Sequence, residues 1–221
     1  MYRVSLVYHA MHPQPLSCDK VFFVKVMEFD YVSRAACGIS FGVVRGGDRV
    51  VFIKAGLGGS CSGYEDKYIR IARRLNEKYG CSVIAASNPE GERSHAKTDR
   101  EIIEKYLAQE CIGTPVLYFL GHSNGGNKGL ELAASGLMLE KMLLINMPLM
   151  INMHKTRKHL AALGSTRITL VYGEADPSFS YLPFIEGRYA HVNTLTVAGA
   201  DHNFAGMTDK LVELGDLLMD V

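Results

Sequence analysis

The stretch Val116-Leu117-Tyr118-Phe119-Leu120-Gly121-His122-Ser123-Asn124-Gly125-Gly126 decides how this chain is read. Its first five residues are an apolar run of strand composition, and residues 127–134 (NKGLELAA) read as the start of a helix. A strand, a Gly-x-Ser-x-Gly turn and a helix form the signature of a nucleophile elbow. The serine stands at the apex of a tight, strained turn, and glycines two places before and after it let strand and helix approach closely. This context predicts that Ser123 carries an exposed, activated hydroxyl and that the chain performs acyl chemistry.

Working outward from the turn, the pattern alternates. Upstream, residues 4–8, 21–29 and 39–44 are rich in Val, Phe, Tyr and Ile and read as strands. The sequence Arg45-Gly46-Gly47-Asp48 predicts a turn before a strand at 49–54. Tyr64, Tyr68, Ile71, Ala72, Leu75 and Tyr79 share one helical face, with Gly80 as a stop. A short strand at 82–86 and a helix at 98–110, opened by a capping box of Thr98 with Glu101, lead into the serine strand. Downstream, strands are expected at 142–146, 167–172 and 192–197. Helices are expected near 153–163, 184–189 and 209–219. The alternation implies an α/β fold: a mostly parallel central sheet covered by helices on both faces, entered through an antiparallel N-terminal hairpin region. Residues 1–221 read as a single domain.

A serine hydroxyl is a weak nucleophile until a histidine takes its proton and a carboxylate orients that histidine. Of the eight histidines, His202 follows the last expected strand, and Asp176 follows the strand before it in Gly173-Glu174-Ala175-Asp176. Catalytic groups of open α/β sheets gather at these carboxyl ends. Glu174 and Asp201 compete with Asp176 for the acid's role, although Asp201 adjoins His202 and is better placed to shape the turn.

The order Ser123, Asp176, His202, the elbow, the Gly-Glu-Ala-Asp loop and the Gly199-Ala200-Asp201-His202 ending resemble the α/β-hydrolase superfamily. So does Ala55-Gly56-Leu57-Gly58-Gly59-Ser60 after an early strand. The resemblance runs from about residue 49 to the C-terminus. It implies a serine hydrolase acting on an ester, thioester or related acyl bond. It also implies an oxyanion hole formed by the backbone N–H groups of Leu57 and Asn124. The family often has His-Gly where this chain has Ala55-Gly56. The span from Ser123 to Asp176 has room for a helix, a strand, a helix and a strand, which leaves none for a separate lid domain and predicts an open site for a small or mid-sized acyl substrate.

Rival readings fit less well. Gly38-Ile39-Ser40-Phe41-Gly42 repeats the serine motif, but a strand and a turn follow it, so Ser40 is set aside. The glycine loop at 56–63 lacks the Gly-Lys-Ser/Thr of a phosphate loop, and Cys61 replaces the third glycine of a dinucleotide fingerprint. His122 is expected to pack beneath the elbow, Cys61 to be a bystander, and His154 and His159 to be solvated on a basic helix. Five widely spaced cysteines with no Cys-x-x-Cys argue against a disulfide framework or structural zinc. No metal or organic cofactor is expected. With 48% hydrophobic residues, 21% charged residues and a net charge of +1, the chain suits neither nucleic acid nor a polybasic membrane anchor. No run approaches the ~18 apolar residues of a membrane span, and no signal peptide is read, so the expectation is cytoplasmic. Two alternatives share the same residues: acyl transfer to an alcohol or amine, and a binding or scaffold protein that retains the fold with a disused triad.

Overall fold

The computed structural model describes residues 28–90 and 96–220. The elements in chain order are β1 (Tyr31–Arg34), β2 (Ser40–Val44), β3 (Gly47–Lys54), α1 (Lys67–Tyr79), β4 (Cys81–Ala86), α2 (Ala96–Glu110) and β5 (Val116–His122). They continue with α3 (Asn124–Ala134), β6 (Lys141–Ile145), α4 (Leu149–Ala162), β7 (Arg167–Gly173), β8 (Val192–Val197) and α5 (Thr208–Leu214). All eight strands join one sheet in the order β1-β2-β4-β3-β5-β6-β7-β8. From β4 onward across the sheet every pairing is parallel, while β1–β2 and β2–β4 are antiparallel.

Near-continuous apolar runs dictate this arrangement, because a parallel strand is covered on both faces. All six residues of β4 are buried, and so are the last five of β3. The strand period of two divides their side chains between two cores. Val51, Ile53 and Val83 face Tyr68, Ile71 and Leu75 of α1 and Leu211 of α5. Phe52, Ile84 and Phe119 face Ile103 of α2, Leu130 of α3 and Leu160 of α4. In register, Val51 lies between Val83 and Tyr118, so the last residue of β3, Lys54, pairs with Gly121 one residue before the end of β5. That common edge gathers the loops after the parallel strands.

Several local expectations change. The strand expected at 4–8, and all but the last two residues of that at 21–29, lie outside the described residues, and Glu28 and Phe29 are not in a strand. Residues 47–48 belong to β3 rather than to a turn, and β3 does not pair with β2, because β4 lies between them. The hairpin is instead β1–β2, turning through Cys37 and Gly38 at φ 58 and 69. Tyr64–Asp66 form a 3₁₀ turn in which Glu65 and Asp66 have left-handed φ of 51 and 54, so α1 starts only at Lys67. The capping box does not form: α2 already contains Ala96, and buried Thr98 points its hydroxyl at the Cys37 sulfur, 3.6 Å away. The helix expected at 184–189 is a 3₁₀ segment at Phe179–Phe184, since Pro183 cannot donate and Gly187 turns at φ 68. The last helix breaks at Gly215 into a 3₁₀ segment, Gly215–Leu218.

Candidate active site

β5 ends at His122, α3 begins at Asn124, and Ser123 between them has φ 53 and ψ −129. That backbone conformation is costly for a residue with a Cβ, so the surroundings must impose it. The Ser123 N–H donates to the Ile145 carbonyl at 2.8 Å, and the Gly126 N–H returns to the Ser123 carbonyl at 2.9 Å. A Cβ on Gly121 would stand 2.6 Å from the Cα of Gly126, and one on Gly125 would meet the carbonyls of Lys54 and Ala55, the latter at 2.6 Å. The elbow is thus wedged between its own helix and the end of β3. Gly125→Ala is expected to cost more than about 4 kcal/mol, because a methyl group against fixed backbone cannot be relieved by a rotamer change. Gly164→Ala, where a Cβ meets nothing within 4 Å, is the control for a thermal melt. Equal melting temperatures for the two variants would refute the wedge.

His202 and Asp176 arrive from the two adjacent loops. His202 Nε2 lies 2.9 Å from Ser123 Oγ, and His202 Nδ1 lies 2.5 Å from Asp176 Oδ2. Asp176 is buried, and its other oxygen accepts from the Ser178 N–H at 2.7 Å, so the carboxylate cannot swing. The two competing carboxylates lie elsewhere. Glu174 accepts from the Gly199 N–H at 3.3 Å. Asp201 accepts from the N–H groups of Ala205 and Asn203 at 2.9 and 3.0 Å, bonds that hold its carboxyl below the usual range and build the turn carrying His202.

Beneath the histidine lies support that the sequence reading missed. Asn146, fully buried just after β6, has φ 48, a left-handed conformation that asparagine tolerates better than most residues. Its amide donates to the carbonyls of Asp201 and His202 at 3.0 and 2.9 Å and accepts from the Gly173 N–H at 2.9 Å. One side chain therefore joins the loops that carry the acid and the histidine. His122 approaches the same place: its Nε2 lies 3.0 Å from the His202 carbonyl and its Nδ1 lies 3.2 Å from the Tyr68 hydroxyl. A carbonyl only accepts, so Nε2 carries the proton and Nδ1 accepts from Tyr68. Burial, reinforced by the nearby charge of Lys67, pushes the His122 pKa down to about 3 and keeps the ring neutral. Burial likewise raises the Tyr68 pKa. An asparagine directly after an apolar strand was the one available signal for Asn146.

The loop after β3 runs alongside Ser123, since a Cβ on Gly56 would stand 3.1 Å from the Ser123 Cβ. Within it, the Gly58 N–H donates to the Asn88 carbonyl at 2.7 Å and the Gly59 N–H to the Gly56 carbonyl at 2.9 Å. Leu57 lies between Gly56 and Gly58 and is 61% exposed. Asn124 opens α3, where a first-turn N–H has no intrahelical acceptor.

The remaining candidates take no part in the Ser123–His202–Asp176 line of bonds. Ser40 begins β2 and bonds through its N–H to Ser87 Oγ at 2.9 Å. Burial raises the Cys61 thiol pKa, which disfavours the thiolate. His154 and His159 lie on α4, and burial lowers the pKa of His159. Among the described residues no group of three or more His, Cys, Asp or Glu side chains could hold a metal ion, and no helix is long and apolar enough to cross a membrane. A cavity of about 320 Å³ lies between β1 and α2, lined by Tyr31, Phe41, Ile102 and Tyr106, away from Ser123.

No protein-family model matches the sequence, and no curated protein matches it. Solved structures do. Est1E from Butyrivibrio proteoclasticus superposes with a TM-score of 0.69 at 13% identity, over 85% of this chain and 97% of that one. ATU1826 from Agrobacterium tumefaciens, described as a putative alpha/beta hydrolase of unknown function, gives 0.64 at 14% identity, over 86% and 94%. XC6422 from Xanthomonas campestris, described as an α/β serine hydrolase without a lid, gives 0.61 at 17% identity, over 85% and 91%. At these identities the likeness speaks for the fold, and the fold is that of the α/β hydrolases.

Proposed function

We propose that this α/β-hydrolase-fold chain is a serine hydrolase that cleaves an ester, thioester or related acyl bond through an acyl-enzyme. The observation that carries the reading is one unbroken line of hydrogen bonds, Ser123 Oγ to His202 Nε2 at 2.9 Å and His202 Nδ1 to Asp176 at 2.5 Å, on a serine held at φ 53. With the Nδ1 proton held by Asp176, Nε2 presents its lone pair to the serine hydroxyl. It removes the proton as Oγ attacks the substrate carbonyl, and the buried carboxylate stabilises the imidazolium that forms. The tetrahedral oxygen is received by the backbone N–H groups of Leu57 and Asn124. His202 then protonates the leaving group, and water activated by the same nitrogen hydrolyses the acyl-enzyme.

Between Ser123 and Asp176 the described chain is filled by α3, β6, α4 and β7, so no inserted element covers the serine from that segment. The His202 side chain is 39% exposed, which gives water access for deacylation. Exposed apolar side chains follow three of the strand ends: Leu57 at 61%, Ile151 at 72% and Phe184 at 52%. The test is intact-mass measurement after fluorophosphonate treatment, followed by a panel of p-nitrophenyl esters of increasing chain length. One phosphonyl adduct per chain and turnover of the shorter esters are expected. A folded protein that neither labels nor turns over any ester would favour a binding or scaffold role.

A further inference from the structure

We infer that Asn88, just after β4, is a positioning residue that sets both oxyanion donors, an inference that rests on the hydrolase reading above. Asn88 is fully buried and belongs to no catalytic line, yet four of its bonds go to the two segments that must converge on the substrate oxygen. Its backbone clamps the loop after β3 from both sides: its carbonyl accepts from the Gly58 N–H at 2.7 Å and its N–H donates to the Gly59 carbonyl at 2.9 Å. Leu57 is thereby the residue held next to a fixed pair. The Asn88 side-chain Nδ2 donates to the Ala55 carbonyl at 3.0 Å and to Asn124 Oδ1 at 3.2 Å, tying the base of that loop to the first residue of α3. This amide therefore links the two segments that carry the N–H donors, beside the close approach of Gly125 to the Lys54 and Ala55 carbonyls.

The amide's orientation follows from its partners, because the atom facing the Ala55 carbonyl must be a donor. Among the described residues its buried Oδ1 has no hydrogen-bond partner. The working end of this side chain is therefore the nitrogen, and an aspartate of the same shape would set an acceptor against the Ala55 carbonyl. The residue itself is fixed from behind. Lys54 Nζ, in a buried ion pair with Asp99 at 2.7 Å, donates to the Ser87 carbonyl at 2.8 Å. Ser87 in turn exchanges bonds with Ser40, its N–H going to the Ser40 carbonyl at 2.8 Å and its Oγ accepting from the Ser40 N–H at 2.9 Å. Oxyanion stabilisation depends on donors placed before the charge develops, so a misplaced donor lowers turnover while leaving ground-state binding nearly intact.

The test measures kcat, KM and the inhibition constant of an aryl trifluoromethyl ketone, whose tetrahedral adduct places an oxyanion in the hole. It compares wild type with Asn88→Ala, Asn88→Asp and Asn124→Ala, and checks each fold by its melting curve. Asn88→Ala is expected to lower kcat roughly 10- to 100-fold and weaken the ketone by the same factor, with KM within about threefold. Asn88→Asp should be at least as impaired despite its equal volume. A lowered melting temperature with unchanged kcat and ketone affinity would mark Asn88 as merely structural and overturn the inference. If both Asn88 variants fail to fold, Asn124→Ala removes the same amide link from a half-exposed side chain. A smaller kcat loss at unchanged KM is then expected, and an unchanged kcat overturns the inference. Wild type that is inert to fluorophosphonate and esters overturns the hydrolase reading and this inference together. A reactive wild type with unaffected variants overturns this inference alone.

Discussion

Ser123→Ala is expected to lower kcat for a p-nitrophenyl ester by about 10⁴- to 10⁶-fold and to abolish fluorophosphonate labelling, with little change in melting temperature. The size follows from the geometry. Ser123 Oγ is the atom that His202 Nε2 faces at 2.9 Å, and alanine occupies the same left-handed backbone position without it. His202→Ala removes the proposed base for that hydroxyl, so it should fall to a similar residual rate. The double variant should be no worse than either single one, because groups acting as a unit are lost once. The residual activity, about 10³-fold over water, would come from the N–H groups of Leu57 and Asn124 and from substrate binding. A Ser123→Ala enzyme keeping more than one per cent of wild-type kcat, or losses that multiply in the double variant, would remove Ser123 and His202 from a common machine.

How far the sequence carries such a site depends on the range of the interactions that build it. The elbow was legible because strand, glycine turn and helix are contiguous, and Gly121 answers a clash inside the elbow itself, with Gly126. Asp176 and His202 were legible from their places just past two apolar runs. Asn88 and Asn146 were not. Their partners lie across the sheet, as with Asn88 and Asn124 or Asn146 and His202, and no periodicity records such bonds. Pairing partners were hidden for the same reason. Nothing in residues 40–54 says that β4 will slot between β2 and β3, because β4 comes later in the chain and finds its place by two-sided burial. The helix expected at 184–189 failed on a local feature that was visible, Pro183, whose ring favours a short 3₁₀ segment over a continued helix.

Acid is expected to unfold this protein through His122. Its imidazole titrates near 6.5 when free and near 3 in the fold, so across that window the unfolded chain binds a proton that the native state refuses. Stability from this group is fully present above pH 6.5 and is lost as the pH falls toward 3, at up to about 1.4 kcal/mol per pH unit and roughly 5 kcal/mol in all. The cause is burial first and the charge of Lys67 second, only partly offset by the bond to the His202 carbonyl. Protonation would also put a second N–H on Nδ1, where Tyr68 now donates, so the charged ring loses an accepted bond as well as its hydration. The comparison is urea unfolding of wild type and His122→Gln at pH 7.5, 6 and 5. Glutamine can still donate toward the His202 carbonyl and accept from Tyr68, but it has no proton to gain. The variant should start less stable at pH 7.5 and show a flatter pH dependence, the slopes differing by nearly one proton between pH 5 and 6, since the other carboxylates and histidines are common to both chains. Parallel curves would show that His122 is not held neutral. The consequence for the site is direct: the bond lost on protonation anchors the ring whose other nitrogen holds the His202 loop, so activity should fail in acid along with stability.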